Sequence, residues 1–267
     1  MKIVLFSGSH SRHVYLHQQI LKNFDVTGIV CMYRESVLPT ADENWPEHDQ
    51  ELFKIHFQNR FNVENKNFGE FEINSYEKVE NHLFVEPKEL NSQKVIDFLS
   101  KIEYDVAIIF GVDIIKEPLF STLPFWKINI HLGLSPWYRG AATLFWPFYF
   151  LEPQFSGATI HQIAPKADAG EIIHHSVPVL SSDDTIHDVG VKVVKQATSD
   201  LVSLLKKIEN GEDIVLHKQK ISGKLFLEKD FRPEHLRIIY DTYNDQIVKH
   251  YLDGNFIKKD PKLISNL

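Results

Sequence analysis

The stretch that decides the fold is KIVLFSGS at residues 2–9, a short apolar run followed by a turn of serine and glycine. An apolar run of this length next to turn residues is typical of a buried strand. Residues 12–23 then carry the spacing of a helix, and residues 26–32 form a second apolar run. Together they predict a β-α-β unit, in which a helix joins two parallel strands.

The alternation of strand-like and helix-like segments continues along the chain. Strands are predicted at 81–85, 105–110 and 126–131, and helices at 92–100 and 141–150. Such alternation indicates an α/β fold with a mainly parallel, Rossmann-like sheet and helices on both of its faces. Ligands of such sheets bind beyond the carboxyl ends of the strands, so polar residues at those ends are candidates for a functional site.

Several segments depart from this simple alternation. Residues 33–81 are polar and aromatic, so we expect an insertion over one edge of the sheet, with a helix at 47–57. Alternating residues at 155–163 and 171–179 predict two strands that pair across a short loop. A typical helix-capping sequence then begins a long helix at 186–208.

The end of the chain predicts a small α+β extension. It contains short strands at 214–216 and 224–227, followed by short helices. The long helix ends before Gly211, and glycine is the residue that most often follows a helix. We therefore expect a first domain at 1–210 and an extension at 211–267.

Composition and charge exclude several classes of protein. The 267 residues are 24% charged and 43% hydrophobic, which is typical of a globular chain and not of a disordered one. The formal charge is −7, whereas a nucleic-acid binder usually presents a basic face. Cys31 is the single cysteine, so no disulfide forms within the chain. We find no signal peptide and no apolar run of membrane-spanning length, and we expect a cytoplasmic protein that binds neither nucleic acid nor membranes.

Polar side chains suited to catalysis cluster around the strand predicted at 126–131. Asn129 and His131 are two residues apart, so on a strand they share one face. Such groups are costly in a buried strand unless they are partnered or lie at its end. Asp168 stands in a turn between the next two predicted strands, where a carboxylate is able to orient an imidazole. This set of groups suits acyl transfer, in which an oxyanion is stabilised and a proton is moved.

Each of these features also has a simpler interpretation. An aspartate two residues before a glycine is most often a turn former. His13 and His17 have the spacing of a metal-binding pair on a helix, but no third ligand follows at a recognised spacing, so we expect no metal. The first turn lacks the pattern Gly-x-Gly-x-x-Gly, so a nicotinamide oxidoreductase is poorly supported. The catalytic interpretation therefore depends on the combination of residues and not on any one of them.

This combination closely resembles the formyltransferases that use N10-formyltetrahydrofolate. The resemblance is carried by Asn129-Ile130-His131, Leu134-Ser135-Pro136, Tyr138-Arg139-Gly140 and Asp168-x-Gly170. The family includes enzymes that formylate methionyl-tRNA, glycinamide ribonucleotide and nucleotide-linked amino sugars. The resemblance implies a Rossmann-like formyltransferase catalytic domain at roughly 1–210, with N10-formyltetrahydrofolate as co-substrate.

The resemblance also implies a role for each candidate residue. Asn129 would hydrogen-bond the formyl oxygen, His131 would assist at the same oxygen, and Asp168 would orient His131 or a relay water. The folate head would lie between the loop after strand 105–110 and the aspartate loop, against Phe110, Gly111, Val112, Asp113, Ile114, Lys166 and Ala167. The candidate substrate-binding residues are Ser9, Trp137, Tyr138, Arg139 and Gly140.

The acceptor is predicted by elimination among the branches of the family. The short segment after residue 210 and the negative charge disfavour tRNA. The insertion and the extension exceed what the purine-pathway enzymes carry. We therefore expect the acceptor to be a small primary amine, a nucleotide-linked amino sugar, and the extension to offer a homodimer surface. Three enzymatic alternatives stay open, namely formylation of glycinamide ribonucleotide, formylation of methionyl-tRNA and hydrolysis of formyltetrahydrofolate. A non-enzymatic, folate-binding regulatory protein also stays open.

Overall fold

The computed structural model describes residues 1–69, 76, 79–165, 168–219, 223–257 and 259–267. The strands in chain order are β1 (Lys2–Gly8), β2 (Asp25–Met32), β3 (His82–Val85), β4 (Val106–Phe110), β5 (Trp126–His131), β6 (Tyr138–Gly140), β7 (Ala158–Gln162), β8 (Ile172–Ser176) and β9 (Lys224–Phe226). The helices are α1 (Ser11–Asn23), α2 (Glu47–Phe68), α3 (Gln93–Leu99), α4 (Leu119–Thr122), α5 (Trp146–Tyr149), α6 (Ile186–Glu209) and α7 (Ile247–Leu252).

Seven of these strands form one sheet in the order β3-β2-β1-β4-β5-β7-β8. The pairs from β3 to β5 are parallel, whereas β7 pairs antiparallel with both β5 and β8. Strand β4 is buried along its whole length because it lies inside the sheet with both faces covered, which explains its unbroken apolar sequence. The predicted α/β fold with a mainly parallel sheet is confirmed.

Helices cover both faces of the sheet, as predicted. On one face α1, α2 and α6 contact one another and share an apolar core with Ile3, Ile108 and Ile128. On the other face α3 and α4 pack over a smaller core that contains Val4, Ala107 and Ile109. The alternating inward and outward residues of β1 and β4 supply both cores, as expected for a pleated strand.

The segment at 33–81 is arranged differently from the expected insertion over an edge. Helix α2 connects the neighbouring parallel strands β2 and β3, and it lies on the face of the sheet beside α1 and α6. It also extends eleven residues beyond the predicted helix end at Phe57, to Phe68. Because parallel neighbours require a crossover connection, this helix completes the doubly wound pattern.

Two further local predictions are wrong. The helix predicted at 141–150 is reduced to α5, because Ala142 has a left-handed backbone with φ of 54° that an α-helix does not accept. Residues 214–216 form no strand; the outer edge of β8 is instead met by an isolated bridge from His217 and by a backbone hydrogen bond to Ile264. Each of those segments covers only part of the edge.

The extension predicted at 211–267 is tied directly to the loop after β5. The proline and two glycines at 132–140 predict an irregular loop, but its last three residues, Tyr138–Gly140, form a short strand because β9 pairs in parallel with β6. The tail thereby holds one end of the loop that carries four candidate substrate-binding residues. Among the described residues, no helix has the length and apolar character needed to cross a lipid bilayer.

Candidate active site

The polar cluster forms where β5, β7 and the turn before β8 meet; we call it the β5–β7 site. Antiparallel pairing places Asn129 directly opposite His161 and His131 opposite Thr159. Residues directly opposite in such a pair have neighbouring side chains. The turn between β7 and β8 then brings Asp168 to the same place.

Asp168 joins the separate parts of the cluster. One carboxylate oxygen, Oδ1, lies 3.4 Å from Nδ1 of His131 and 3.8 Å from Nε2 of His161. The other oxygen, Oδ2, accepts a hydrogen bond of 3.0 Å from the backbone N–H of Gly140. The predicted convergence of Asn129, His131 and Asp168 from two segments is therefore present in the structure.

The backbone of the turn explains the Asp168-x-Gly170 pattern. Asp168 has a φ of 49°, a left-handed conformation that aspartate and asparagine adopt more readily than other non-glycine residues. A Cβ atom at residue 170 would overlap the carbonyl oxygen of Gln162, so only glycine fits this close approach. Gln219 closes the turn, because its Nε2 donates to the carbonyl oxygens of Asp168 at 2.9 Å and Gly170 at 2.8 Å.

His161 fixes the orientation of the Asn129 amide. Its Nδ1 donates to the carbonyl oxygen of Gln162 at 2.7 Å, so the lone pair on Nε2 accepts from Nδ2 of Asn129 at 3.1 Å. Burial lowers the pKa of His161, so this ring is neutral at pH 7 and Nε2 stays an acceptor. The second N–H of the Asn129 amide has no hydrogen-bond partner among the described residues.

His131 is held between two oxygen atoms. Its Nε2 lies 3.0 Å from the carbonyl oxygen of Tyr138, and its Nδ1 faces Asp168. Only 8% of the residue is exposed. The short loop from Leu132 to Tyr138 therefore curls back over the ring, and backbone and carboxylate together fix the ring plane.

The structure separates the four candidates on this loop. Trp137 is half-buried against Phe155 and His175, and Gly140 is bonded to Asp168. Tyr138 lies in the core, where its hydroxyl donates to Glu152 at 2.7 Å, and burial followed by this carboxylate raises the pKa of the phenol. Arg139 is 6% exposed, and its Nε has no hydrogen-bond partner within the residues that the structure describes. Contact of any of them with an acceptor stays a prediction.

The candidate folate residues after β4 run from the core to the surface. Phe110 is buried, Gly111 and Val112 are half-buried, and Ile114 is 46% exposed. The exposed carboxylate of Asp113 forms an ion pair of 2.8 Å with Arg34. Lys166 and Ala167 lie outside the described residues.

A second location, the crevice between the carboxyl ends of β1 and β4, is filled by protein; we call it the β1–β4 crevice. Strand order reverses here, which is where doubly wound sheets usually bind nucleotides. The ring of His13 occupies it, because a Cβ at Gly8 would lie 2.5 Å from Nδ1 of His13 and a Cβ at Gly111 would overlap the same ring. His13 is 2% exposed, and it leaves no room for a nicotinamide dinucleotide.

Ser9, which was predicted to contact substrate, lies beside this crevice. Its hydroxyl oxygen accepts a hydrogen bond of 2.8 Å from the backbone N–H of Arg34. Ser9 thus links the first turn to the chain after β2, and it is not part of the β5–β7 site.

A cavity of about 280 Å³ lies between α1, α2 and α6, and it begins at Leu132, the residue that follows His131. Neither Asn129, His131 nor Asp168 lines it, so it adjoins the β5–β7 site without containing the cluster. No group of three or more His, Cys, Asp or Glu side chains is arranged to hold a metal ion within the part of the chain that the structure describes.

Sequence reasoning missed His161 and Gln219. His161 lies in a strand that was predicted, and the signal was a histidine on a strand of otherwise apolar and small residues, but the register against β5 is a long-range property. Gln219 comes from the extension, and nothing in its local sequence indicates a contact with Asp168.

Known proteins that are similar to this chain are formyltransferases. A family model described as formyl transferase matches residues 1–205. The methionyl-tRNA formyltransferase of Azobacteroides pseudotrichonymphae is 29% identical over 153 residues, which cover 54% of this chain and 47% of the relative. That of Kosmotoga olearia is 29% identical over 158 residues, covering 59% and 50%. The chain thus spans about half the length of the curated relatives it matches.

Several solved structures of other formyltransferases share the fold of this chain. A 4-N formyltransferase from Francisella tularensis has a TM-score of 0.56 and 19% identity, covering 86% of this chain and 77% of its own. An N-formyltransferase from Helicobacter canadensis, in complex with folinic acid and dTDP-3-aminofucose, has a TM-score of 0.58 and 16% identity, covering 91% and 82%. A phosphoribosylglycinamide formyltransferase from Anaplasma phagocytophilum has a TM-score of 0.55 and 17% identity, covering 85% and 98%. At these identities the likeness shows the fold.

Proposed function

The chain belongs to the formyl transferase family, and from this premise we propose that it transfers the formyl group of N10-formyltetrahydrofolate to the primary amine of a small acceptor. The observation that carries the proposal is an N–H of Asn129, at the end of β5, that has no hydrogen-bond partner among the described residues, while the neutral ring of His161 holds the amide in place. A donor fixed before the reaction needs no reorganisation when charge develops on the substrate.

The reaction makes specific demands on the protein. The amine nitrogen forms a bond to the formyl carbon, the bond from that carbon to N10 breaks, and the formyl oxygen carries negative charge in between. The free N–H of Asn129 donates to that oxygen. The amine also loses a proton while N10 gains one, so a group that accepts and returns protons is needed nearby.

His131 and Asp168 meet the demand for proton transfer as a pair. Asp168 lies 3.4 Å from His131 Nδ1, and its second oxygen is fixed by Gly140, so the carboxylate orients the imidazole. Asp168 is also 15% exposed at its side chain, which leaves it accessible to a water molecule that relays a proton. We assign Asn129 to charge stabilisation, and His131 with Asp168 to proton movement.

The co-substrate is proposed to lie where β4 ends. Val112 and Ile114 present partly exposed apolar side chains just after Phe110 in the chain, and apolar side chains with nearby backbone groups suit an aromatic head group. Bound there, N10-formyltetrahydrofolate supplies an activated formyl group. In this proposal the residues at 110–114 bind the co-substrate, orient it and exclude water.

For the acceptor we propose a nucleotide-linked amino sugar. One structural neighbour is in complex with dTDP-3-aminofucose, a nucleotide-linked sugar that carries an amine. The negative net charge of the chain is consistent with a small acceptor and not with a large polyanion.

We also propose that the extension at 211–267 mediates a homodimer, which sedimentation of the purified chain would test.

The test is an assay of the purified chain with N10-formyltetrahydrofolate and a panel of dTDP- and UDP-linked amino sugars. Mass spectrometry should reveal one product that is heavier by a formyl group, and tetrahydrofolate should appear in equal amount. Asp168→Asn serves as the inactive control because asparagine tolerates the left-handed backbone of this turn. Release of formate without a formylated product would indicate hydrolysis and refute the transferase assignment.

Methionyl-tRNA is the second candidate, and the identity to methionyl-tRNA formyltransferases favours it. The same assay therefore includes charged initiator tRNA at two salt concentrations. Formylation of the tRNA, with all sugars unmodified, would replace the amino-sugar proposal and keep the reaction.

A further inference from the structure

The cavity beside the β5–β7 site carries an uneven set of charges. Arg12 on α1 and Arg60 and Glu64 on α2 all line it. Nη1 of Arg12 donates to both oxygens of Glu64 at 3.1 Å, so these two side chains form a close ion pair. Nε of Arg60 is 4.0 Å from Glu64, too far for a hydrogen bond. Two cations therefore share one carboxylate.

Arg60 is the unsatisfied member of this group. Its guanidinium carbon lies 5.0 Å from the centre of the Phe57 ring, so the group makes a cation–π contact with that ring. No hydrogen bond is made by the guanidinium to any of the described residues. Burial, and then the charge of Arg12, lowers the pKa of Arg60 to about 10, so the group is still a cation at pH 7. A partly buried cation without a hydrogen-bonded partner is unfavourable unless an anion joins it.

Two neutral imidazoles form another part of the cavity wall. The rings of His56 and His187 are 4.5 Å apart, and Nδ1 of His56 lies 2.9 Å from the hydroxyl of Tyr240. Burial lowers the pKa of both histidines, that of His187 to about 4, so neither contributes positive charge at pH 7. Neutral imidazoles both donate and accept hydrogen bonds, and they suit the hydroxyl groups of a ligand.

The remainder of the wall is aromatic or apolar. Phe57, Phe145 and Phe231 line the cavity, and Leu132 closes the end nearest the β5–β7 site. Thr143 lines the cavity as well, and only Gly133 separates it from His131: a Cβ at Gly133 would lie 2.7 Å from Cβ of Thr143 and 2.6 Å from Nε2 of His131. A ligand bound by its charged end at Arg60 therefore lies in a cavity whose wall adjoins the predicted site of formyl transfer.

We propose that this cavity binds the acceptor through an anionic phosphoryl group, which Arg60 engages together with Arg12, while the sugar lies between the histidines and the phenylalanines. This inference rests on the proposed function, because it assumes that the ligand is the acceptor. It adds where the phosphate of the acceptor binds, and that Arg60 on α2 recognises it. Glu64 has the role of an internal counter-ion that holds Arg12 and competes with the ligand for Arg60.

Because Glu64 competes with the ligand for Arg60, substitutions at Arg60 and at Glu64 should change ligand affinity in opposite directions. Binding of inorganic pyrophosphate, UDP and UMP to the full chain would be measured by calorimetry. Arg60→Gln should weaken binding by about 10- to 100-fold, because it removes a charge-assisted hydrogen bond. Glu64→Gln should strengthen it by several-fold, because it removes the competing carboxylate. Lys94→Gln, which removes an exposed charge from α3 on the opposite face of the sheet, should leave binding unchanged.

The choice of probes separates the sources of phosphate. Tighter binding of UDP or UMP than of pyrophosphate would show that the nucleoside contributes, whereas equal binding would indicate a sugar phosphate without a nucleotide. Arg60→Lys keeps the charge but loses the planar fork, so its affinity should fall between those of wild type and Arg60→Gln. It also provides a usable variant if Arg60→Gln does not fold.

Failure of this inference is distinguishable from failure of the proposed function. With a formylated acceptor in hand, Arg60→Gln should raise KM for the acceptor and leave KM for folate unchanged. Unchanged acceptor KM and unchanged phosphate binding would overturn the anion site while formyl transfer stands. If the wild-type chain binds phosphate, Arg60→Gln loses that binding and the wild type formylates no amine, the anion site stands and the proposed function is overturned.

Discussion

The β1–β4 crevice and the β5–β7 site both lie at carboxyl ends of parallel strands, and they differ in what fills them. At the crevice His13 packs against Gly8 and Gly111, so the usual nucleotide position of a doubly wound sheet is occupied by protein. At the β5–β7 site the Asn129 amide has an N–H without a partner among the described residues, and the imidazole of His131 faces the carboxylate of Asp168. The comparison teaches that side chains, and not strand order, decide which of these two places is available for chemistry.

The comparison also predicts a separation of effects. Substitution of Asn129 at the β5–β7 site should reduce turnover with little change in stability, because His161 is the one hydrogen-bond partner of its side chain among the described residues. Substitutions at the β1–β4 crevice should reduce stability with little change in turnover, because its residues are there to fill space. The predictions that follow test this separation.

The largest effect is expected from Asn129→Ala. Loss of one oxyanion donor usually lowers kcat by about 10²–10³-fold. The free energy of unfolding should fall by only about 1 kcal/mol, which is typical of one lost hydrogen bond, here the bond to His161. Steady-state kinetics and chemical denaturation would measure both quantities. Asn23→Ala, at the exposed end of α1, is the matched control. Wild-type turnover in Asn129→Ala would remove the amide from the mechanism.

At the crevice, His13→Ala should have the opposite profile. Removing a buried ring leaves a void, which usually costs about 3 kcal/mol of unfolding free energy. We expect kcat to stay within a few-fold of wild type. Gln18→Ala on the exposed face of the same helix controls for helix propensity. A large fall in kcat with unchanged stability would place His13 in the active site and remove the distinction between the β1–β4 crevice and the β5–β7 site.

A smaller effect on turnover is expected from His161→Phe. The phenylalanine keeps the volume and burial but cannot accept the hydrogen bond from Asn129, so the amide loses its fixed orientation. We expect kcat to fall by about tenfold, the equivalent of one hydrogen bond, with KM for folate unchanged. His161→Gln retains an acceptor oxygen and should recover part of the loss. If both variants reduce kcat equally, His161 acts by packing and not by orienting Asn129.

These expectations show what the sequence was able to predict. The sheet, its helices and the shared face of Asn129 and His131 follow from periodicities of two and 3.6 residues, which are local. The position of Asp168 in a turn also followed from its glycine. The contact of His161 with Asn129 did not, because a one-residue change of register between β5 and β7 would have placed the ring on the opposite face.

The same limit explains the errors at the periphery. The helix predicted at 141–150 was interrupted by the left-handed Ala142, and no residue-level preference marks an alanine for that conformation. The pairing of β6 with β9 joins residues more than eighty positions apart, so it was invisible in a pattern read along the chain. Helix α2 was recognised only in part because its apolar face is narrow, with Leu52, Phe53 and His56 among its few buried residues.

The smallest expected effect concerns His17, one helical turn after His13. Both ring nitrogens of His17 are buried and find no hydrogen-bond partner in the described part of the chain, although an imidazole normally requires at least one. We therefore expect His17→Leu to raise the free energy of unfolding by about 1 kcal/mol at pH 7. Gln18→Leu controls for the added leucine, since its side chain is exposed on the same helix.

The effect should grow in acid, and its sign follows from the titration of His17. Burial lowers the pKa of His17 to about 3 in the folded chain, from an ordinary value of 6.5. Below pH 6.5 the unfolded chain therefore binds a proton that the folded chain does not, and stability is lost at about 1.4 kcal/mol per pH unit. His17→Leu removes this proton, so its advantage should reach about 3 kcal/mol at pH 5. Denaturation curves at pH 7 and pH 5 would measure it, with kcat as the companion measurement. An advantage that is the same at both pH values would mean that His17 is not held neutral by burial.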